Sequence, residues 1–286
     1  MAVALAFLSA VLYGVSDYVG GRASRRSPAT AVALVAELVV FGLCIVIVPL
    51  IESDGPTSRA IWWGLAAGVT SSVGVVGLYV ALARGNMTVV APVTGLVAAI
   101  VPVAVGILTG DRPSPLAIAG IVFAIVAVAM IGGIAGMFAG GGAAPTVDPR
   151  TVALALGVGF SFGLLFISLD RSGDDAGQWP LLFARFTALP VLLIAALFQF
   201  RGKRPAFGRH LVVPAAIVGV LIALSNASYL ISTREGLLSV VAVVVAMYPA
   251  STIVLAAAID GERATRSQLI GMALAAGALV MITTGS

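Results

Sequence analysis

Charge is scarce in this chain: Asp, Glu, Lys and Arg make up only 10% of its 286 residues, whereas soluble domains carry about 25%. Its single cysteine, Cys44, excludes an intrachain disulfide. Its single histidine, His210, has no partners at a metal-ligand or catalytic-triad spacing, and no phosphate-binding glycine loop is present. We therefore expect neither a cofactor nor a metal, and no catalytic residues.

The chain has apolar sequence instead: 60% of its residues are hydrophobic and its mean hydropathy is +1.13. Seven charge-free blocks can each supply the roughly 20 residues that cross a bilayer as a helix; they are 60–83, 85–110, 113–147, 151–169, 211–233, 236–259 and 267–286. Three further spans, 1–20, 29–51 and 178–200, each hold one charge. The first lacks a positively charged start, so we expect a retained helix and not a cleaved signal peptide. The sequence predicts an all-α membrane protein with ten transmembrane helices.

The ten spans fall into two sets of five. The first covers residues 1–138, the second covers 151–286, and a Gly/Ala/Pro linker at 139–150 joins them. Three landmarks recur in the same order in both sets. They are an aromatic–glycine pair before an arginine (Tyr13-Gly14 and Arg22; Phe162-Gly163 and Arg171), a tyrosine before an arginine (Tyr79 and Arg84; Tyr229 and Arg234), and a Gly-acid-Arg turn (Gly110-Asp111-Arg112; Gly261-Glu262-Arg263). Because five is odd, the second set must enter the membrane upside down. Two inverted five-helix repeats are an architecture typical of secondary transporters.

The basic residues predict the orientation. If sides alternate from the first span, the odd-numbered loops hold eleven basic residues and the even-numbered loops hold four, with Arg185 left inside a span. By the positive-inside rule the odd loops are cytoplasmic and both termini lie outside. The arginines are scattered without aromatic interleaving, so the formal charge of +4 indicates membrane orientation and no nucleic-acid partner. We expect a multi-pass protein of a bacterial plasma (inner) membrane.

The chain resembles the EamA-like transporters of the drug/metabolite transporter superfamily over essentially its whole length. The resemblance is carried by the aromatic–glycine pair in the first span of each half, Arg185-Phe186 in the seventh span and Gly261-Glu262-Arg263 before the tenth. Glu37 stands where the first half would more usually have arginine, and Gly110-Asp111-Arg112 is a shifted form of the Gly-Glu-Arg turn. The resemblance implies a carrier in which spans one, three, four, six, eight and nine surround a central cavity. Spans five and ten lie outside that ring.

Asp17 lies one helical turn after Tyr13, so the two side chains share a face of the first span. One interpretation is a cavity carboxylate that binds a cationic group or a proton, with Tyr13 beside it in the substrate site. The other is a helix-end residue that pairs with Arg22 or Arg25.

Glu37 and Arg185 are two further charges inside predicted spans. Glu37 lies roughly 12 Å into the second span at 1.5 Å per residue, and a charge at that depth commonly marks function. It is the first candidate for a proton-coupling site, with Asp17 second; the alternative is a neutral glutamic acid in a hydrogen bond. Arg185 enters from the opposite face, roughly 8 Å from the level of Glu37 in a core of about 30 Å, so a salt bridge requires Arg185 to reach inward. Its alternative role is structural, bound to helix carbonyls or to Asp170.

Asn226 is the strongest polar candidate in the eighth span, because its amide has four hydrogen-bonding positions to satisfy, which suits a hydrated cavity. The matched tyrosines Tyr79 and Tyr229 are predicted to line the same cavity and touch the substrate. Prolines are predicted to interrupt two spans, as in the broken helices of transport sites. They are Pro92 and Pro102 in the fourth span and Pro249 in the ninth. The alternative is that each proline only kinks its helix.

These features favour a secondary carrier, an exporter or exchanger, that moves a small metabolite by alternating access, with protons as a candidate coupling ion. Two alternatives stay open. One is an intramembrane enzyme, for which Asp17 and Glu37 are the only acidic candidates inside spans; the other is a channel, although no ring of charge is present. The expected partners are a small-molecule substrate and the lipid bilayer, with the chain either alone or as a homodimer.

Overall fold

The computed structural model describes residues 1–52, 54–84, 87–132, 149–201 and 208–285, with the backbone alone for 79–84, 87–89, 91 and 92. Within these ranges all regular secondary structure is helical. Eight helical spans are long and apolar enough to cross a membrane, and two apolar stretches, Val93–Thr109 and Pro115–Ile131, are shorter. The described part of the chain confirms the prediction of an all-α protein with ten transmembrane helices.

The first half contains α1 (Ala2–Ser24), α2 (Ala29–Ile51), α3 (Ser58–Arg84), α4 (Met87–Thr109) and α5 (Pro115–Ile131). The second half contains α6 (Pro149–Asp170), a 3-10 turn (Asp174–Ala176), α7 (Trp179–Gln199), α8 (Arg209–Glu235), α9a (Leu238–Val245), α9b (Pro249–Ile259) and α10 (Arg266–Gly285). Successive spans run in opposite directions, which gives the molecule two ends. We call the end where α1, α3, α5, α7 and α9b finish the linker face, and the end where α2, α4, α6, α8 and α10 finish the terminal face.

The helices pack in pairs that repeat between the halves. Each helix corresponds to the one five spans later. The contact of α1 with α8 therefore repeats as that of α6 with α3, and the contact of α2 with α8 repeats as that of α7 with α3. Likewise, α1 packs on both parts of α9, and α6 packs on α4. With the contacts α2–α7 and α4–α9a, these pairs close a ring in the order α1, α8, α2, α7, α3, α6, α4, α9a. Exchange of the halves maps each of these contacts onto itself or onto another contact of the ring, so a pseudo-twofold axis in the membrane plane relates the repeats. The ring also includes α2 and α7, which the family resemblance left out.

Close helix crossings depend on small residues. In the α3–α7 crossing, a Cβ atom on Gly68 would collide with the carbonyl of Ala184 and the hydroxyl of Thr187. The Thr187 hydroxyl donates to Leu65 O at 2.9 Å across the same crossing. Lipid tails are as apolar as leucine side chains, so burial of apolar surface does not drive helices together in a membrane. Close backbone approach and interhelical hydrogen bonds hold them together instead.

α5 and α10 pack chiefly on each other, outside the ring. The Ser114 hydroxyl caps α5 by accepting from Ala117 N at 3.2 Å, and it donates to Gly285 O at 2.6 Å. At the opposite end of the pair, the Ser267 hydroxyl donates to Met130 O at 3.1 Å. Spans five and ten therefore lie outside the ring, as the resemblance implied.

The prediction of two interrupted spans is confirmed in the ninth and wrong in the fourth. The ninth span breaks at residues 246–248, and Pro249 opens the first turn of α9b. In contrast, α4 continues from Met87 to Thr109 through both Pro92 and Pro102. Pro102 and Val101 pack against Gly163 of α6. A membrane helix continues past proline where its neighbours pack tightly against it.

Candidate transport site

Polar side chains from α1 and α8 meet where the two halves join. The Ser9 hydroxyl donates to Ser225 O at 2.9 Å, and the Ser225 hydroxyl donates to Ser9 O at 2.8 Å. One turn further along α1, the Tyr13 hydroxyl donates to Asn226 Oδ1 at 2.5 Å. Asn226 is buried and Tyr13 is half-buried. Two of the predicted site residues are thus brought together by helices from opposite repeats.

Glu37 of α2 and Arg185 of α7 form a buried ion pair. Arg185 Nη1 lies 3.0 Å from both carboxylate oxygens of Glu37, and its Nε lies 3.4 Å from Leu181 O. The two side chains are only 6% and 10% exposed. The guanidinium therefore reaches across the level difference expected from the sequence. Of the alternative partners, a helix carbonyl is present as Leu181 O. Asp170 is not a partner, because its Oδ2 lies 3.7 Å from Arg171 Nε.

Asp17 faces the interior of the ring. It follows the buried residues Ala6 and Ala10 by eleven and seven positions, which places all three on one side of α1. Its side chain is nevertheless exposed, so it borders an accessible space inside the ring. Among the described residues, Asp17 makes neither a hydrogen bond nor an ion pair. The alternative interpretation paired Asp17 with Arg22 or Arg25, but both bind other acids, so Asp17 does not form that helix-end pair.

The break in the ninth span places Tyr248 beside Tyr13. The two ring centroids are 6.3 Å apart with an angle of 57° between the planes. Gly14 permits this approach, because a Cβ atom there would collide with Ser251 Oγ and with the carbonyl of Tyr248. Asp17 lies one helical turn after Tyr13 on the same face of α1. We call Asp17, Tyr13 and Tyr248 the Asp17 cluster.

The remaining predicted residues are not part of this cluster. Tyr229 is completely buried between α8 and α6, where its hydroxyl donates to Phe166 O at 3.1 Å and its ring lies 4.8 Å from the Phe166 ring. In this conformation Tyr229 borders no accessible space. The side chains of Tyr79 and Pro92 lie outside those described. Substrate contact by the two tyrosines stays a prediction.

At the linker face, the end of α1 is tied to the turn that follows α9b. Arg22 pairs with Asp260, and the Tyr18 hydroxyl donates to Asp260 Oδ2 at 2.9 Å. Arg25 Nη2 lies 3.2 Å from Glu262 Oε1. Arg22 follows Asp17 by five residues, or roughly 7 Å along the helix axis. These bonds therefore close the linker side of the Asp17 cluster.

An equivalent contact closes the terminal face. Arg171, the counterpart of Arg22, donates to the hydroxyl of Thr109, the counterpart of Asp260. In the turn after α4, Asp111 Oδ2 accepts from Ser239 N at 2.8 Å and so holds the start of α9a. Both turns need a glycine in a positive-φ conformation, Gly110 and Gly261. The two ends are closed by homologous contacts, but only the one at the linker face joins opposite charges.

The terminal half of the ring is the more tightly packed. Gln178 N donates to Glu52 Oε1 at 2.6 Å, and Trp179 Nε1 donates to Asp54 O at 2.8 Å. Every residue of α9a is buried, whereas no residue of α9b is. The described residues thus enclose the terminal side of the ring and leave its linker side looser.

Sequence reasoning missed Tyr248 and Asp260. Tyr248 directly precedes the helix-breaking Pro249, and Asp260 directly precedes the Gly261-Glu262-Arg263 motif. The sequence signal that could have identified them is their position, an aromatic residue directly before a helix break and an acidic residue directly before a turn. Within the described ranges, no group of three His, Cys, Asp or Glu side chains could hold a metal ion.

Comparison with known proteins agrees with this architecture. A model of the EamA-like transporter family matches residues 1–133 and 149–284, one match for each half. No curated protein matches the sequence. One solved crystal structure superimposes on 99% of this chain and 96% of its own with a TM-score of 0.78, at 14% identity, which shows a shared fold alone. Because the family matches cover nearly the whole chain, the protein belongs to the EamA-like transporter family of the drug/metabolite transporter superfamily.

Proposed function

We propose that this membrane transporter is a secondary carrier that moves a small metabolite by alternating access, as an exporter or exchanger. The observation that carries the proposal is the pair of homologous contacts, Arg22–Asp260 and Arg171–Thr109, at opposite ends of one ring. Inverted repeats can exchange conformations, so that the end closed in one state is open in the other. A channel needs no such pair of closures.

The two halves are also packed differently, as such an exchange requires. α4 packs on α5, whereas its counterpart α9b is separated from α10 by an apolar groove of about 470 Å³ that Val254 and Met272 help to line. Exchange of the two arrangements would move α9b onto α10 and α4 away from α5. The linker side of the ring would then become the tightly packed side, and the terminal side the looser one.

Counterflow in proteoliposomes tests this function. Liposomes preloaded with one member of a panel of amino acids, amines, nucleosides and sugars are diluted into tracer. A carrier accumulates tracer transiently above equilibrium only when unlabelled substrate is inside, and a channel gives no overshoot. Absence of an overshoot with every member of the panel would contradict the proposal.

A reversible lock provides the matched control. Arg22→Cys and Asp260→Cys are combined in a Cys44→Ser background, which removes the single native thiol. A disulfide between them should stop counterflow by holding the linker face shut, and a reductant should restore it. Unchanged counterflow in the cross-linked protein would show that this contact does not open during transport.

Tyr13, Asp17, Tyr79, Asn226 and Tyr229 are proposed to touch the substrate. The Asp17 cluster and the Tyr13–Asn226 hydrogen bond support the assignments of Tyr13, Asp17 and Asn226. Tyr229 would become accessible only when α6 and α8 separate. Single cysteines at these positions, in the Cys44→Ser background, should react with a water-soluble thiol reagent, and substrate should slow the reaction. Absence of labelling at all of them would contradict the assignment.

The linker face is proposed to be cytoplasmic, in a bacterial plasma membrane, because the predicted odd-numbered loops carry most of the basic residues. If transport is coupled to protons, Glu37 is the first candidate and Asp17 the second. Compared per amount of folded protein, Glu37→Gln should then abolish uptake driven by a pH gradient and preserve substrate exchange, which moves no net proton. A purely structural role in the pair with Arg185 should instead reduce both activities together.

A further inference from the structure

We propose that the Asp17 cluster binds the positively charged group of an organic cation, a primary or quaternary ammonium. The proposal rests on the transport function above and names the class of substrate. It follows from the balance of charge around Asp17 and from the two aromatic rings that stand beside it.

Within the described residues, Arg185 and Arg22 already have acidic partners. Arg185 is held by both carboxylate oxygens of Glu37 at 3.0 Å, and Arg22 is held by Asp260. Among the described residues, Asp17 is left as an unmatched negative charge inside the ring. A carboxylate in an accessible space between helices attracts a counter-charge. A ligand with one positive charge would supply it.

The same balance argues against an anionic ligand. An anion needs a free guanidinium or ammonium group, and Arg185 and Arg22 both have acidic partners. An anion in the accessible space would lie close to the Asp17 carboxylate and be repelled by it. A neutral ligand would leave that carboxylate unmatched.

Tyr13 and Tyr248 supply the second element of a cation site. Their rings meet at 57° with centroids 6.3 Å apart, which forms an open corner and not a closed stack. An ammonium group within about 6 Å of an aromatic centroid is attracted by the negative face of the ring. The Tyr13 hydroxyl is occupied by Asn226 Oδ1 at 2.5 Å, so this bond fixes the ring beside the carboxylate.

Binding to the purified, detergent-solubilised protein tests the proposal independently of transport. The probes are choline and butylammonium, and 3,3-dimethylbutanol serves as the neutral isostere of choline. Isothermal titration should detect both cations, with at least tenfold weaker binding of the isostere. Asp17→Asn should weaken cation binding at least tenfold, and Tyr248→Leu about fivefold, whereas Tyr248→Phe, which keeps a ring, should bind nearly as the parent does.

Asp174→Asn is the control, because it removes a carboxylate from an exposed turn at the terminal face. Its affinity for choline should be unchanged, and all variants should elute as folded protein from a size-exclusion column. Equal binding of choline and its isostere, unchanged binding by Asp17→Asn, or no binding of either cation would overturn the proposal. If the counterflow assay shows transport of another metabolite in that case, the carrier function stands and only the cation site falls.

Discussion

Replacement of Glu37 by Gln should destabilise the protein because it leaves the Arg185 guanidinium buried without a counter-charge. At 3.0 Å and an effective dielectric constant of about 20, two unit charges attract by roughly 5 kcal/mol. The glutamine oxygen still accepts one hydrogen bond, which returns about 1.5 kcal/mol. The expected loss is therefore about 3–4 kcal/mol, within the range for removal of one partner of a buried pair.

A double-mutant cycle measures this loss. Glu37→Gln, Arg185→Met and the double variant are compared with the parent by reversible unfolding in mixed micelles of lipid, detergent and SDS, followed by circular dichroism. The double variant should recover most of the stability, since removal of both charges leaves neither unpaired. The interaction free energy between the two sites should be about 2–3 kcal/mol.

Glu262→Gln is the matched control, because its ion pair with Arg25 joins side chains that are 55% and 67% exposed. Exposed pairs contribute at most about 1 kcal/mol, so this variant should unfold close to the parent. Additive effects of Glu37→Gln and Arg185→Met would refute the reasoning, because they would mean that the two side chains do not stabilise each other.

Three further outcomes follow from the contacts between helices. Gly14→Ala should destabilise the protein by about 1–3 kcal/mol, because the added Cβ collides with the carbonyl of Tyr248 and the hydroxyl of Ser251. Gly21→Ala, where a Cβ meets nothing within 4 Å, should have no such cost in the same unfolding assay. Asp260→Asn should favour the state open at the linker face and Asp111→Asn the state open at the terminal face, each by about two- to fivefold. In each variant, spin-label distances across the two faces should shift in opposite directions. Shifts in the same direction would contradict the alternating arrangement. A reporter that is active only in the cytoplasm should be silent when fused after Ser286, and an active fusion would reverse the proposed orientation.

The number of spans and their division into two sets could be read from the sequence, because a bilayer requires about 20 apolar residues per helix and charge is excluded from most of them. The inversion followed from the odd number of spans in each set. Tyr13 and Asn226 could be singled out as polar groups at membrane depth, and the structure joins them by a hydrogen bond. These properties depend on local composition or on a repeat in the chain, both of which a single sequence contains.

Only the tertiary structure decided which charges meet. Depth along a helix placed Glu37 and Arg185 at different levels, but a long flexible arginine side chain and the close packing of α2 on α7 bring them to 3.0 Å. Asp17 lies close to Arg22 in the sequence, yet Arg22 binds Asp260, which is more than 200 positions away. The side chain of a helical residue points to one side, and the helix packed on that side is fixed by the order of the ring. The spacing of residues along the chain shows neither that Asp17 has no partner among the described residues nor that Tyr248 lies beside Tyr13.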